Sequence, residues 1–182
     1  MKYLVYIILI VFSSCFPKKE VVKTNINSKS SLSKKKSLSK TKWCGKIISV
    51  KKKYLDCDRE DIINLTPLKQ SIELEELVLS GTMVENLGPL KKLVNLKKID
   101  LHDTKVSDLS FLKNLVKLEE LVLSGTMVED LGPLKKLVNL KKLDLHDTKV
   151  SDLSFLKNMV KLEELGLSKT EVCNVLELET IK

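Results

Sequence analysis

The sequence predicts an α/β solenoid, a stack of short parallel strands, each followed by a turn and a short helical or 3-10 segment. Three observations carry that expectation. Apolar residues recur at a spacing of 22, they alternate within each period like a strand with one buried face, and a helix-start signal follows each strand.

The period is read from Leu74, Leu96, Leu118, Leu140 and Leu162, which begin matching segments. Each runs L-x-x-L-x-L-x-x-T-x-V, with apolar residues again at the fourteenth and seventeenth places. The segment from Leu96 shows the pattern in full: Leu96, Ile99, Leu101, Thr104, Val106, Leu109, Leu112 and Leu115. A degraded copy precedes these, with Leu55, Cys57, Ile62, Leu65 and Leu68 in the corresponding places. A longer period lies on top. Residues 74–117 and 118–161 differ only at Asn86/Asp130, Ile99/Leu143 and Leu115/Met159, the mark of a tandem duplication. Identical residues in the two copies therefore need not each be functional.

The apolar residues at places four and six of each unit alternate as a half-buried strand requires. Gly88-Pro89, Ser110-Phe111, Gly132-Pro133 and Ser154-Phe155 follow, where Gly or Ser is expected at the N-cap and Pro at the first helical position. No such unit buries its apolar side alone, so the units must stack.

Over about 52–182 the pattern resembles the leucine-rich-repeat family, in particular the 22-residue bacterial type of internalin-like proteins. The resemblance implies parallel strands on a concave face, short helical or 3-10 segments on a convex face, and binding of another protein. Such surface proteins are adhesins or host-interaction factors, a role implied by analogy of fold alone. Thr82, Thr104, Thr126, Thr148 and Thr170 stand where the family has Asn. The amide ladder is thereby lost, although a Thr hydroxyl also satisfies nearby backbone groups.

Residues 1–14 read as a signal peptide. Lys2 precedes an apolar run from Tyr3 to Phe12, too short for the roughly 20 residues of a bilayer span. Ser13, Ser14 and Cys15 resemble a bacterial lipoprotein box, with Phe12 where that box has Leu, Val or Ile. The resemblance implies lipidation at Cys15 and a membrane-anchored place in the cell envelope, with ordinary secretion as the alternative. Residues 16–42 hold nine Lys against Glu20, and 15–42 read as the lipidated Cys and a disordered tether. That tether is a solvated spacer, or its lysines reinforce the anchor on an anionic membrane.

The tether also accounts for the net charge of +8, because it and Lys2 leave residues 43–182 about one charge negative. The basicity is thus no sign of nucleic-acid binding by the folded part. Aromatics at 4% are too few for a stacking surface.

Residues 43–73 are expected to form an N-terminal cap with the degenerate repeat, and 74–182 five repeats. Trp43 to Cys57 would supply the cap. Cys44 and Cys57 are close enough in sequence for a disulfide, which an exported context permits. Alternatively, Cys57 is a small buried residue. Cys173 has no obvious mate. The last unit, with Leu162, Leu165, Leu167, Val172, Val175 and Leu178, has no visible cap and invites self-association through the C-terminus.

Outward-facing strand residues form three ladders across the stack. The first alternates Glu76, Lys98, Glu120, Lys142 and Glu164, and is expected to pair laterally at strand spacings of about 4.8 Å. The second is Val78, Asp100, Val122, Asp144 and Gly166. The third is Ser80, His102, Ser124, His146 and Ser168. Ser124 between two histidines, with Asp100 and Asp144 nearby, names the ingredients of a hydrolase triad. Asp100 and His102 are expected to project in parallel about 7 Å apart, leaving the base unoriented, and no oxyanion hole is visible. His102 and His146, two strands and roughly 9.6 Å apart, are too distant to share one metal ion. The expectation is therefore a non-enzymatic binding protein without metal or cofactor, with a structural envelope protein lacking a specific ligand as the alternative.

Overall fold

A computed structural model describes residues 42–44, 46–47 and 51–172. Six three-residue strands form one parallel sheet in sequence order: β3 (Tyr54–Asp56), β4 (Glu76–Val78), β5 (Lys98–Asp100), β6 (Glu120–Val122), β7 (Lys142–Asp144) and β8 (Glu164–Gly166). Each residue pairs with the one 22 places on, as Leu77 with Ile99 and Ile99 with Leu121. The degraded repeat is thus a full member of the sheet through β3.

Between strands the chain forms five 3-10 helices: η1 (Thr66–Gln70), η2 (Gly88–Lys92), η3 (Ser110–Asn114), η4 (Gly132–Lys136) and η5 (Ser154–Asn158). The spacing of leucines explains why these are 3-10 and not α. Leu87, Leu90, Leu93 and Leu96 are linked by successive i→i−3 backbone bonds. At three residues per turn, such a series keeps one side toward the core. All four are buried, as are their counterparts in the next unit. Each such side chain contributes roughly 1.5–3 kcal/mol.

The helix starts differ by one place from the sequence expectation. Gly88, Ser110, Gly132 and Ser154 are the first helical residues, not N-caps, and Pro89 and Pro133 come second. The first-turn amide is met from two residues upstream. Asn86, Asp108, Asp130 and Asp152 each accept the N–H of the helix's first residue through Oδ1. Asn64 does the same for Thr66.

Each strand ends in a turn at the eighth place, where φ is positive at Arg59, Gly81, Asp103, Gly125, Asp147 and Lys169. The Thr that follows closes the turn. Thr82, Thr104, Thr126, Thr148 and Thr170 donate their hydroxyls to the carbonyls of Leu79, Leu101, Leu123, Leu145 and Leu167. A hydroxyl thus meets the backbone where the family's amide would stand.

At the N-terminal end, β1 (Lys42–Trp43) and β2 (Lys46–Ile47) form an antiparallel hairpin. Trp43 packs on the core and donates Nε1–H to the Asn64 carbonyl at 3.0 Å. Cys44 and Cys57 are disulfide-bonded, and both are buried. At the other end, Leu162, Leu165 and Leu167 are buried, not bare, and Val172 packs against the core. Cys15, residues 1–41, Cys173, Val175 and Leu178 lie outside the described residues.

Candidate functional site

The sheet positions the three ladders. Leu77, Ile99, Leu121, Leu143 and Leu165 turn inward, which leaves the residues on either side facing out. Lys98 reaches Glu120 at 2.9 Å and Lys142 reaches Glu164 at 2.8 Å. These hydrogen bonds raise the pKa of both lysines above the ordinary value. The ladder is thus pinned in couples, with Lys98 on Glu120 and not on Glu76.

Val78 and Val122 are half-buried on the same face, but they are not neighbours. Asp100 of β5 stands in register between them, and Asp144 borders Val122 on the far side. Asp100 and Asp144 each accept the backbone N–H of the histidine two places on, at 3.0 Å.

The histidines are oriented after all, His102 by an acid other than Asp100 and His146 with Asp144 nearby. His102 Nδ1 lies 2.9 Å from Ser124 Oγ, and its Nε2 lies 3.2 Å from Asp103 Oδ2. Ser124, His102 and Asp103 thus form a connected string, with Asp103 in the place given above to Asp100. His146 pairs with Ser168, whose amide donates to Nδ1 at 2.9 Å, and its Nε2 lies 3.7 Å from Asp144 Oδ1. Asp103 was missed because its carboxylate reaches the site only by lying over Gly125. A Cβ there would stand 2.2 Å from Asp103 Oδ1.

Neither the exposure of Ser124 nor the three amides that follow it suit a hydrolase. Ser124 is only 7% exposed. The amides of Gly125, Thr126 and Met127 are bonded to the carbonyls of His146, Leu123 and Val106, so none is free to hold an oxyanion. The arrangement ties neighbouring repeats together and fixes the polar surface.

A second alternating ladder, on the edge where the chain approaches the strands, was also missed. Glu75 sits between Lys53 and Lys97, each 2.7 Å away, and their hydrogen bonds hold its carboxyl down to about 2. Lys141 meets Glu119 in the same way. The alternation of Lys53, Glu75, Lys97, Glu119 and Lys141 at a spacing of 22 was the available signal.

The model of the leucine-rich repeats (2 copies) matches residues 72–114 and 116–158. Residues 72–158 carry leucine-rich repeats, and the fold is a leucine-rich-repeat solenoid. An internalin of Listeria monocytogenes superimposes with a TM-score of 0.69 at 28% identity, covering 75% of this chain and 42% of that one. Internalin C2 of the same organism gives 0.67 at 30% identity, over 70% of this chain and 57% of that one. A leucine-rich-repeat protein of Leptospira interrogans shares the fold, with a TM-score of 0.59 at 22% identity over 70% and 39% of the two chains. This repeat protein thus spans about half the length of the internalins it matches. No protein of curated function matches the sequence. The repeat fold is similar to that of these bacterial internalins.

Proposed function

We propose that this protein is exported, held to the cell envelope by a lipid at Cys15, and binds another protein through the sheet face. The observation that carries the reading is a polar surface already fixed before any partner arrives. Lys98, Lys142, His102 and His146 are each tied to a residue of a neighbouring repeat. A surface ordered in advance loses less conformational freedom on binding, which favours affinity. Val78 and Val122 supply its apolar points, with Asp100 between them and Glu76 and Asp144 beside them. Chemistry at Ser124 has less support, because the amides of Gly125, Thr126 and Met127 are already bonded to carbonyls.

Photo-crosslinkers placed at Val78 and Val122 in intact cells test the binding face, with Lys135 on η4 as control. The expected result is one shared adduct from the two sheet positions and none from Lys135. The anchor is tested separately: Cys15→Ser should release the protein from the membrane fraction and remove the lipid mass. An unmodified Cys15 in membrane-bound mature protein contradicts the anchor and leaves the face untouched.

A further inference from the structure

The turn after each 3-10 helix exposes an aliphatic side chain. Ile72, Val94, Val116, Val138 and Val160 lie 22 residues apart and are between 43 and 75% exposed. Isolated apolar residues on a surface need no explanation, but a line of them does. Strand propensity does not supply one, because these positions lie outside the strands.

The same stretch carries lysines that meet no carboxylate. Lys91 and Lys92 precede Val94, and Lys135 and Lys136 precede Val138; none of the four forms an ion pair among the described residues. Lys117 and Lys161 donate to the neutral side-chain oxygens of Asn95 and Asn139, and neither forms an ion pair among the described residues. The nearby Asp108 and Asp152 are hydrogen-bonded to Ser110 and Ser154, and Lys135 acts on Asp152 without forming an ion pair. A cleft of about 270 Å³ on this edge is lined by Lys97, Lys117, Asn139, Lys141 and Lys161 around Glu119, and of its lysines Lys97 and Lys141 are paired with Glu75 and Glu119. The sheet lysines Lys98 and Lys142 both have carboxylate partners.

We propose that this edge, formed by the turns after η1 to η5, rests on a membrane surface rich in anionic lipid. The lysines without an ion-pair partner supply the charge complementarity, since a lysine near an anionic leaflet is attracted to its phosphates. The aliphatic line selects lipid over a soluble polyanion. A polysaccharide or phosphate chain has no apolar layer to receive valines, whereas the boundary between headgroups and acyl chains does. Lysine stems suit the same boundary, with methylenes among the valines and ammonium groups at the headgroups. The sheet face then stays clear of the membrane. This docking is independent of the concave-face reading and of lipidation at Cys15.

The test uses the full chain with Cys15→Ser and Cys173→Ser, which leaves only the disulfide-bonded Cys44 and Cys57. An environment-sensitive fluorophore is attached at Val116→Cys or, on the sheet face, at Val78→Cys. With vesicles of phosphatidylglycerol and phosphatidylcholine, emission from position 116 should shift to the blue while position 78 remains water-like. Lys91, Lys92, Lys135 and Lys136 changed together to Glu should abolish the shift at an unchanged melting temperature. If that variant is unstable, Val94→Ser with Val138→Ser should weaken the same shift. Water-like emission from position 116 on the anionic vesicles overturns the proposal. So does an equal shift on phosphatidylcholine alone. A shift produced by heparin or an acidic protein but not by vesicles also overturns it, and assigns the edge to that partner.

Discussion

The His146 imidazole lies over Gly166, its Nε2 2.9 Å from where a Cβ on that residue would stand. Val122 holds the equivalent place beside His102, and there the ring turns its Nε2 to Asp103 instead. Gly166→Val should therefore turn His146 toward Asp147, reproducing the His102 arrangement. The atoms a Cβ would meet are ends of side chains, so stability should change by less than about 1 kcal/mol. A crystal structure and melting curve of the variant check both parts. An unmoved ring would mean that the two sites differ for another reason.

Thr126→Val removes a buried hydroxyl donor and leaves the Leu123 carbonyl without it. The expected cost is about 1–2 kcal/mol, from the lost bond and the carbonyl left underserved. Thr170→Val, at a partly buried turn, should cost less. Urea unfolding of both variants measures the difference, and equal costs would contradict a role for burial.

Acid should weaken the protein partly through Glu75. Its carboxyl is held at about 2 in the fold by Lys53 and Lys97, against an ordinary 4.5. The unfolded chain therefore binds the proton first as pH falls, so the stabilisation is whole above about 4.5 and is lost toward 2. Glu75→Gln lacks it throughout. The stability gap between wild type and Glu75→Gln should thus close as pH falls through that window, and close also in high salt. A gap that stays constant from pH 6 to 2 would contradict the assignment.

Leu101→Asp places a charge in the fully buried strand layer and should cost several kcal/mol. Lys135→Asp, at an exposed position of η4, should change stability by less than about 0.5 kcal/mol. Equal losses in thermal unfolding would mean the repeat register is wrong.

The fold was legible because the leucines do two jobs at once. Their spacing of 22 sets the strand register, and the leucines three apart between strands set the 3-10 helices. The outward ladders follow from strand alternation alone. What was not legible depends on neighbours in space. His102 and His146 sit in identical local sequence, yet they part because one faces Val122 and the other Gly166. Asp103 reaches His102 only because Gly125 lies beneath it. The helix caps were placed one residue late because the Asn and Asp that provide them stand outside the helix, two residues before its start.

The claim that the sheet face binds a protein is tested most directly by changing Val78 and Val122 together to Lys. Both side chains are half-buried at the surface, so unfolding should be almost unchanged. Recovery of the partner crosslinked at the sheet face of the wild type is then measured for the double variant in intact cells. Loss of that partner with an unaltered melting temperature is the expected result. Undiminished recovery would contradict the account and move the binding site off the sheet.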